Sequence, residues 1–310
     1  MRVILVGLGQ VGLRYDIGNT SNYLSHAKVL ASMHEFELAA AVDPDPNARA
    51  LFVATYDIPA FPSLDALYLS NVFEDIDLYI IATPTRTHYD VCIDILKNQQ
   101  DLTILLEKPA CEKNYQRQIL LDLANKKNCR IYINTMRRCI ELFENIKLEN
   151  LSGARPLLSC YVIYPPDFWN NGIHAFDLLR YITGNHFHSQ TKTNNLNRCF
   201  WGNMGKTRVI FSQSISSTSS IYLMQFEFES SYAVVDLFTG RVESYIASQL
   251  SFNHNYNIID LGVKRYENTP RVDLQLRWYK KFVSTLDADR SWMTTLYDII
   301  EYANCLEFVT

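Results

Sequence analysis

The chain has 310 residues, of which 29 are Lys or Arg and 33 are Asp or Glu, so its formal net charge is −4. This length fits about two domains of roughly 150 residues each. A composition of 48% hydrophobic and 20% charged residues is typical of a globular protein and excludes the disordered and fibrous classes. The mild acidity argues against nucleic acid as a partner, because proteins that bind it carry a strongly basic face.

The seven cysteines are scattered along the chain, and no C-x-x-C pair occurs among them. This distribution favours buried free thiols in a reducing compartment over a disulfide framework or a zinc site. His186 and His188 have no carboxylate or thiol at ligand spacing, so we expect no metal. Met1 leads almost directly into an apolar run without the features of a secretory signal, and no apolar run reaches the ~20 residues of a membrane helix. We therefore predict a cytoplasmic protein without a membrane partner.

The first half of the chain alternates continuous apolar runs with amphipathic segments. Strands covered on both faces by helices are apolar throughout, and a strand–helix–strand alternation is typical of a doubly wound parallel sheet. We predict an α/β Rossmann domain over residues 1–134. Its predicted strands are 3–6, 38–42, 78–82, 103–106 and 130–133, and its predicted helices are 27–33, 88–96 and 115–124.

The second half has a different pattern. In 222–228 the apolar side chains alternate with polar ones, which is typical of an antiparallel strand with one buried face. We predict an α+β domain with a large open antiparallel sheet over residues 135–310, whose C-terminal helix packs on either this domain or the first one. Its other predicted strands are 157–164, 232–237 and 241–246, and its predicted helices are 274–286 and 294–308.

A G-x-G-x-x-G pattern follows the first predicted strand directly. Gly7 permits a tight turn, Gly9 lets the backbone approach a pyrophosphate, and Gly12 allows a helix to pack closely on the strand, while N–H groups at the helix N-terminus bind the anion. The pattern alone is weak. Its position at the start of an α/β unit predicts a dinucleotide-binding loop that includes Gln10 and Val11.

Asp43 ends the second predicted strand, where a carboxylate would hold the ribose diol of the dinucleotide. It lies 31 residues after Gly12, whereas about 20 are expected, and the polar segment 14–25 accounts for the surplus as a loop. A carboxylate here repels a 2′-phosphate, so the sequence favours NAD(H) over NADP(H). The alternative is that Asp43 only caps the turn before Pro44.

Three further motifs combine with the glycine loop. Thr83-Pro84 and His88 follow the third strand, Glu107-Lys108-Pro109 ends the fourth, and Gly172-Ile173-His174-Ala175-Phe176-Asp177 lies early in the second domain. Together they resemble the Gfo/Idh/MocA oxidoreductases, the glucose–fructose oxidoreductase and inositol dehydrogenase group, over essentially the whole chain.

The resemblance implies a Rossmann domain, a second domain with a large open sheet, and a cleft in which nicotinamide and substrate meet. It also implies a homodimer or homotetramer that assembles through the open sheet. Relative to the family, segment 14–25 resembles an insertion before the family histidine, which is His26 here.

The resemblance further implies the roles of the site residues. Lys108 would bind the reacting oxygen, and His174 would be the general base, which its ordinary pKa near neutrality suits. Asp177, three residues later on the same helical face, could orient His174, bind substrate or pair locally. Thr83 and Pro84 would lie against the cofactor.

Two further residues leave alternatives open. His88 would lie against the cofactor or cap its helix, and Glu107 would place the cofactor and sugar or fix its own turn.

One position departs from the family pattern. Many members carry Asp four residues before the histidine, where this chain has Asn170, which can hydrogen-bond a sugar hydroxyl but cannot take a proton. Arg137 and Trp169 are further candidates for contact with a sugar-like substrate, through an anionic group and through ring stacking, with an interdomain ion pair and core packing as their alternatives. Tyr164 has the same two alternatives as Trp169.

We therefore expect hydride transfer between nicotinamide and a carbon of a sugar, sugar-nucleotide or polyol. The alternatives are a cofactor-binding sensor or scaffold with impaired catalysis, which Asn170 suggests, and a reductase of imines or dihydrodiols.

Overall fold

The structure is a computed structural model that describes residues 1–18, 22–190, 199–215, 221–253, 256–268, 273–285 and 290–306, and in 246–268 it describes the backbone alone. The chain divides into two compact units. The first consists of Met1–Met136 and Val272–Ala303, and the second of Arg137–Arg271 and Asn304–Thr310.

Strands and helices alternate in the first part of the chain, and strands dominate the middle. The strands are β1 (Arg2–Val6), β2 (Glu37–Val42), β3 (Ala60–Phe61), β4 (Leu78–Ile81), β5 (Thr103–Leu106), β6 (Arg130–Ile133), β7 (Leu157–Tyr164), β8 (Phe187–Ser189), β9 (Cys199–Met204), β10 (Thr207–Gln213), β11 (Leu223–Phe228), β12 (Ser231–Asp236), β13 (Arg241–Asn253), β14 (Tyr256–Asn268) and β15 (Thr294–Thr295). The helices are α1 (His26–Ser32), α2 (Pro46–Tyr56), α3 (Leu64–Tyr68), α4 (Thr85–Asn98), α5 (Asn114–Lys126), α6 (Glu141–Ser152), α7 (Ile173–Thr183), α8 (Leu274–Ser284) and α9 (Leu296–Cys305).

The first unit contains a sheet in the order β15-β6-β5-β4-β1-β2-β3, in which every neighbouring pair is parallel except β15 with β6. All residues of β4 and β5 are buried, as expected for strands covered on both faces. The predicted Rossmann fold is confirmed. The sequence pattern did not predict α2, β3 or α3: β3 and α3 have two and five residues, and α2 buries only Ala48 and Phe52, so its periodicity is weak.

The C-terminal part of the chain returns to this unit. β15 pairs with β6, and Tyr279 of α8 packs edge-on against the ring of Phe36 at 5.4 Å between centroids. These contacts belong to α8 and β15, and the predicted packing of the C-terminal helix, α9 here, stays a prediction. The predicted helix ends at 286 and 308, and residues 19–21 of the predicted loop, lie outside the described residues.

The second unit contains a sheet in the order β14-β13-β12-β11-β7-β10-β9-β8. Met224, Phe226 and Phe228 of β11 are buried and the residues between them are exposed, so the predicted alternation is confirmed. The predicted antiparallel sheet is confirmed, and it contains one parallel pair, β7 with β10. Such a pair needs a long connection, which α7, β8 and β9 provide between the two strands.

The buried face of this sheet packs on α7 through aromatic rings. Phe176 of α7 lies 5.7 Å from Phe211, which stacks on Phe200 at 4.8 Å between centroids. All residues of α7 except Arg180 are buried, so the position of the helix that carries the histidine motif is fixed by this core.

Five of the seven cysteines are buried, as the sequence analysis expected, but Cys199 is exposed and Cys305 is half-buried. Burial raises the pKa of the Cys111 thiol to about 12, against the counteracting charge of Arg117. Among the described residues, no helix is both long and apolar enough to cross a membrane.

Candidate functional site

The predicted cofactor residues follow the carboxyl ends of adjacent parallel strands, which is the edge where open α/β sheets bind ligands. The first residues of these loops continue the backbone ladder of the sheet. Their N–H groups donate to strand carbonyls in the pairs Gly7 to Val42 and Ala82 to Val6, both 2.8 Å, and Glu107 to Ile81 and Asn134 to Leu106, both 2.9 Å.

The three glycines of the loop have different steric surroundings. A Cβ on Gly7, whose φ is +102°, would lie 2.7 Å from the carbonyl carbon of Ala82, and one on Gly12 would lie 2.0 Å from the Gly7 oxygen. A Cβ on Gly9 would meet nothing within 4 Å. Gly7 and Gly12 are therefore needed for internal packing, whereas Gly9 borders open space, as a cradle for a pyrophosphate requires. The residues present fit a bound dinucleotide.

The helix that should follow the glycine loop is interrupted. Leu13 N–H bonds the carbonyl of Gly9, as in a helix, but the next helical positions are filled by His26, which donates to Val11 at 2.9 Å, and Ala27, which donates to Gly12 at 3.0 Å. In a continuous helix, residue 15 would donate to Val11. Residues 15–25 are thus an eleven-residue excursion from the helix.

The excursion explains the long spacing that the sequence showed. Without these residues, Asp43 would follow Gly12 by 20 positions, the spacing of the dinucleotide fingerprint. The excursion is closed by Asp16, which is 5% exposed and accepts from the N–H groups of Leu24 and Ser25 at 2.8 and 2.6 Å. In the described parts of this segment, residues 14–18 and 22–25, the one helical element is a short 3-10 helix at Arg14–Asp16.

Asp43 is tied to the glycine loop. Its Oδ2 accepts from Leu8 N–H at 2.7 Å, and its Oδ1 accepts from Asp45 N–H at 2.8 Å. The second bond is the capping role that the sequence analysis left open. Each carboxylate oxygen accepts more than one hydrogen bond, so these contacts are compatible with ribose binding as well.

The loop after β4 contributes Thr83, Pro84 and His88. The Oγ1 of Thr83 is buried and has no hydrogen-bond partner within the part of the chain that the structure describes. His88 is 1% exposed, and its two ring nitrogens face the carbonyls of Thr83 at 2.8 Å and Pro109 at 3.0 Å. Its ring therefore joins the loops after β4 and β5, so we assign His88 to positioning rather than to cofactor contact. Pro84 precedes α4, and the predicted contacts of Thr83 and Pro84 with cofactor stay predictions.

The carboxylate of Glu107 lies in a buried hydrogen-bond network. Its Oε1 is 3.0 Å from Nε2 of His26 and accepts from Nδ2 of Asn134 at 2.6 Å. Nδ1 of His26 lies 2.7 Å from the Tyr279 hydroxyl and 2.6 Å from Nε2 of Gln275. Burial acts to raise the pKa of Glu107, but the hydrogen bonds from His26 and Asn134 outweigh it and hold that pKa below its usual range.

This network fixes the tautomer of His26. An ionised carboxylate only accepts, so Nε2 carries a proton, and the single lone pair of Nδ1 in that tautomer accepts from one donor, either the Tyr279 hydroxyl or Nε2 of Gln275. Glu107 thus joins the loop after β5 to α1 and to the residue after β6, and its predicted role in placing cofactor and sugar stays a prediction. Lys108 comes next in this turn and is joined to Pro109 by a cis peptide bond.

The second unit carries the histidine motif. His174 is 9% exposed in the first turn of α7, directly after a π-helix at Phe168–Gly172. Asn170 is exposed, and its side-chain amide donates to the carboxylate of Asp167. The Asp167 carboxylate also accepts from the Asn170 backbone N–H at 3.1 Å. Asn170 therefore hydrogen-bonds a neighbouring carboxylate, that of Asp167, although its own side chain is an amide.

Asp177 forms a buried ion pair. Its two oxygens accept from Nε and Nη2 of Arg138 at 2.8 and 2.6 Å, and the side chains of Asp177 and Arg138 are 1% and 6% exposed. Of the alternatives open for Asp177, the structure favours local pairing. We do not retain it as a substrate ligand, because both oxygens are engaged and hidden from solvent.

The remaining candidates for substrate contact are Arg137, Trp169 and Tyr164, which differ in their contacts and burial. The Arg137 guanidinium lies 5.3 Å from the centre of the Tyr222 ring, and the Tyr222 hydroxyl donates to the carbonyl of Asn171. Trp169 is half-buried and packs edge-on against Phe168 at 5.6 Å. Tyr164 is 0% exposed and belongs to the core, so it cannot stack on a sugar.

Within the described residues, no group of three or more His, Cys, Asp or Glu side chains is placed to hold a metal ion. The sequence analysis missed Gln275 and Tyr279, because no local pattern links α8 to a loop some 170 residues earlier. It also missed Arg14, whose guanidinium reaches Asp45 at 3.3 Å.

The chain is similar to known oxidoreductases. It is 27% identical over 198 residues to the rhizopine catabolism protein MocA of Rhizobium meliloti, and the match covers 59% of this chain and 57% of that protein. The chain thus spans little more than half the length of that relative.

Solved structures resemble the whole chain. A UDP-N-acetylglucosamine 3-dehydrogenase, GnnA of Acidithiobacillus ferrooxidans, has a TM-score of 0.71 at 18% identity, with 99% of this chain and 96% of that one covered. An oxidoreductase of Agrobacterium radiobacter, solved with NAD+, L-tartaric acid and magnesium, has a TM-score of 0.67 at 14% identity, with 99% and 94% covered. Such identities show the fold alone.

A match to a family model covers the N-terminal part of the chain, which holds the glycine loop. Residues 1–135 match the model of the Gfo/Idh/MocA family, described as an oxidoreductase family with an NAD-binding Rossmann fold. This match confirms, over the N-terminal part of the chain, the resemblance seen in the motifs.

Proposed function

We propose that the protein is an NAD(P)-dependent dehydrogenase or reductase acting on a CH–OH carbon of a sugar, sugar-nucleotide or related polyol. The glycine cradle is the observation that carries this proposal, since Gly7 and Gly12 are sterically required while Gly9 borders open space. Asp43 at the end of β2, bonded to the same loop, supplies the ribose-binding carboxylate.

The bound nicotinamide would accept or deliver the hydride. The protein must then hold the reacting oxygen and move its proton. We assign the first task to Lys108, whose ammonium stabilises a developing alkoxide, and the second to His174, whose ring accepts the proton. Glu107 and Asp177 are positioning residues. Glu107 precedes Lys108 and Asp177 lies one helical turn after His174, and each carboxylate is held by buried partners.

A structural neighbour and three side chains support a sugar-like substrate. A structural neighbour is named as a UDP-N-acetylglucosamine 3-dehydrogenase, which supports a sugar nucleotide. Asn170 is exposed and offers an amide to a hydroxyl, Trp169 offers a ring face, and Arg137 offers a cation to an anionic group. We propose these three as substrate ligands.

The test separates binding from turnover. Purified protein is titrated with NADH by fluorescence, and turnover is measured across a panel of sugars and sugar nucleotides. His174→Ala should lower turnover by about 10²–10⁴-fold, the usual contribution of a general base, with NADH affinity unchanged. Gly9→Ala should weaken NADH binding about tenfold or more without loss of thermal stability, since its Cβ meets no protein atom within 4 Å.

Two exposed residues outside the proposed machinery serve as controls. His188→Ala and Lys113→Ala should leave both measurements unchanged, because both side chains are exposed. NADH binding without turnover on any compound would support the scaffold alternative that Asn170 suggests. Turnover of imines or dihydrodiols alone would show a non-sugar reductase instead. Failure to bind any dinucleotide would refute the proposal.

We also propose that the open face of the second sheet mediates self-association into a dimer or tetramer. One row of side chains crosses five strands on this face, from Trp201 through Ile210, Tyr161 and Gln225 to Val234. Trp201 and Tyr161 are 41% and 38% exposed, which is typical of a surface that another copy covers. The assembly and the cytoplasmic location stay predictions.

A further inference from the structure

The proposed ribose site contains cations as well as carboxylates. Arg14, the last residue before the excursion, places its Nη2 3.3 Å from Oδ2 of Asp45. Asp45 in turn donates its backbone N–H to Oδ1 of Asp43 at 2.8 Å. The Arg14 guanidinium is thus linked to the ribose-binding carboxylate through one residue.

A second arginine lies on the other side of the same turn. Nη1 of Arg49, in α2, donates to the carbonyls of Asp43 at 2.7 Å and Pro44 at 2.9 Å. One of its nitrogens therefore holds the turn, while its charge lies beside the end of β2. Two cations and two carboxylates surround the position where a dinucleotide distinguishes a 2′-hydroxyl from a 2′-phosphate.

We propose that Arg14 is a specificity-determining residue that binds the 2′-phosphate of NADP(H), so that the chain accepts both dinucleotides. This inference rests on the proposed dinucleotide site. Asp43 alone would reject a 2′-phosphate by repulsion, whereas Arg14 supplies the guanidinium that compensates for it.

The contacts of Arg14 make it available for this exchange. Its pair with Asp45 is monodentate and both side chains are 43% exposed, so the pair contributes little to stability. A phosphate offers a guanidinium two parallel, charge-assisted hydrogen bonds, which are stronger than a single solvent-exposed one. A 2′-phosphate can therefore compete with the Asp45 carboxylate for the Arg14 guanidinium.

The position of Arg14 follows from the excursion. Its backbone N–H bonds the carbonyl of Gly9 at 3.0 Å, which anchors it to the cradle, while the chain turns away instead of continuing the helix. The side chain consequently lies beside the turn after β2. The interruption of the helix thus adds a cation to the ribose end of the cradle.

The experiment compares dissociation constants for NADH and NADPH, measured by fluorescence titration without substrate. Arg14→Ala should weaken NADPH about tenfold, equivalent to about 1.4 kcal/mol, and change NADH less than about twofold. Asp43→Asn keeps an oxygen for Leu8 N–H but removes the charge, and should strengthen NADPH about tenfold. The double variant Arg14→Ala/Asp43→Asn should lose that gain.

Fragments and a control variant locate the effect. Adenosine 2′,5′-bisphosphate should compete more weakly in Arg14→Ala, and 5′-AMP should compete equally in both proteins. Arg241→Ala, which removes an exposed arginine of the second unit, should alter neither dinucleotide. If the wild-type protein binds NADH, but Arg14→Ala weakens the binding of both dinucleotides equally or changes the binding of neither, the inference is wrong and the proposed function stands. If the wild-type protein binds neither dinucleotide, both are wrong.

Discussion

Each unit buries one carboxylate next to its proposed catalytic residue, and the two carboxylates are neutralised in different ways. Glu107, beside Lys108, accepts hydrogen bonds from His26 and Asn134 in a network completed from α8. Asp177, three residues after His174, forms a two-pronged ion pair with Arg138.

This difference has energetic consequences. Removing one member of a buried ion pair leaves the other charge without compensation, which costs more than the pair itself contributes. Removing one member of a buried hydrogen-bond network leaves polar groups unsatisfied, which costs about 1–3 kcal/mol, less than leaving a buried charge unpaired. The loss of Asp177 should therefore lower the free energy of unfolding more than the loss of the Glu107 charge does.

The largest effect is expected for Asp177→Ala. It removes the carboxylate that neutralises Arg138, whose side chain is 6% exposed, and should lower the free energy of unfolding by about 3–5 kcal/mol. Urea denaturation followed by circular dichroism measures this loss. As a control, Glu149→Ala breaks a pair with Arg155 in which both side chains are more than one-third exposed, and should cost less than about 1 kcal/mol. Equal losses in the two variants would contradict the comparison.

A smaller effect is expected for Glu107→Gln. The substitution keeps the size of the side chain but removes the charge that accepts from His26 and Asn134, and should cost about 1.5–3 kcal/mol at neutral pH. Because the pKa of Glu107 is lowered in the folded state, its contribution is fully present above the ordinary glutamate pKa of about 4.3 and is lost as the pH falls through the lowered value.

The pH dependence tests this assignment directly. The stability difference between wild type and Glu107→Gln should shrink as the pH falls below about 4. A difference that stays constant with pH would show that the charge of Glu107 does not stabilise the fold. If Lys108 depends on this turn, turnover in Glu107→Gln should also fall while NADH affinity is retained.

The smallest effect is expected for Tyr279→Phe. It removes one neutral hydrogen bond, from the Tyr279 hydroxyl to Nδ1 of His26, and should cost about 0.5–1.5 kcal/mol by urea denaturation. Nε2 of Gln275 lies 2.6 Å from the same nitrogen and can satisfy it alone. Tyr297→Phe, at a side chain that is 56% exposed, is the matched control and should change stability by less than about 0.5 kcal/mol. If Tyr279→Phe lowered the free energy of unfolding more than Glu107→Gln does, the charge of Glu107 would not be the main contribution of this network to stability.

Local patterns were sufficient to predict much of the first unit. The runs at 103–106 and 130–133 became β5 and β6 without change of boundary, because strands buried on both faces are apolar throughout. The glycine loop and Asp43 were recognised from their spacing. The extra residues between Gly12 and Asp43 were assigned to segment 14–25, where the structure has the excursion. Non-local contacts were beyond this approach, since nothing in the sequence near Glu107 indicates Gln275 or Tyr279.

The sequence by itself determined the class of fold, the dinucleotide loop and the identity of Lys108 and His174 as candidates, because these depend on periodicity and on short motifs. Only the tertiary structure decided what the neighbouring carboxylates do. Asp177 pairs with Arg138 rather than with a ligand, and Glu107 is held by partners that include residues of α8. The physical reason is that a buried charge must be neutralised wherever the fold brings a partner, and that partner is chosen by packing rather than by position in the chain.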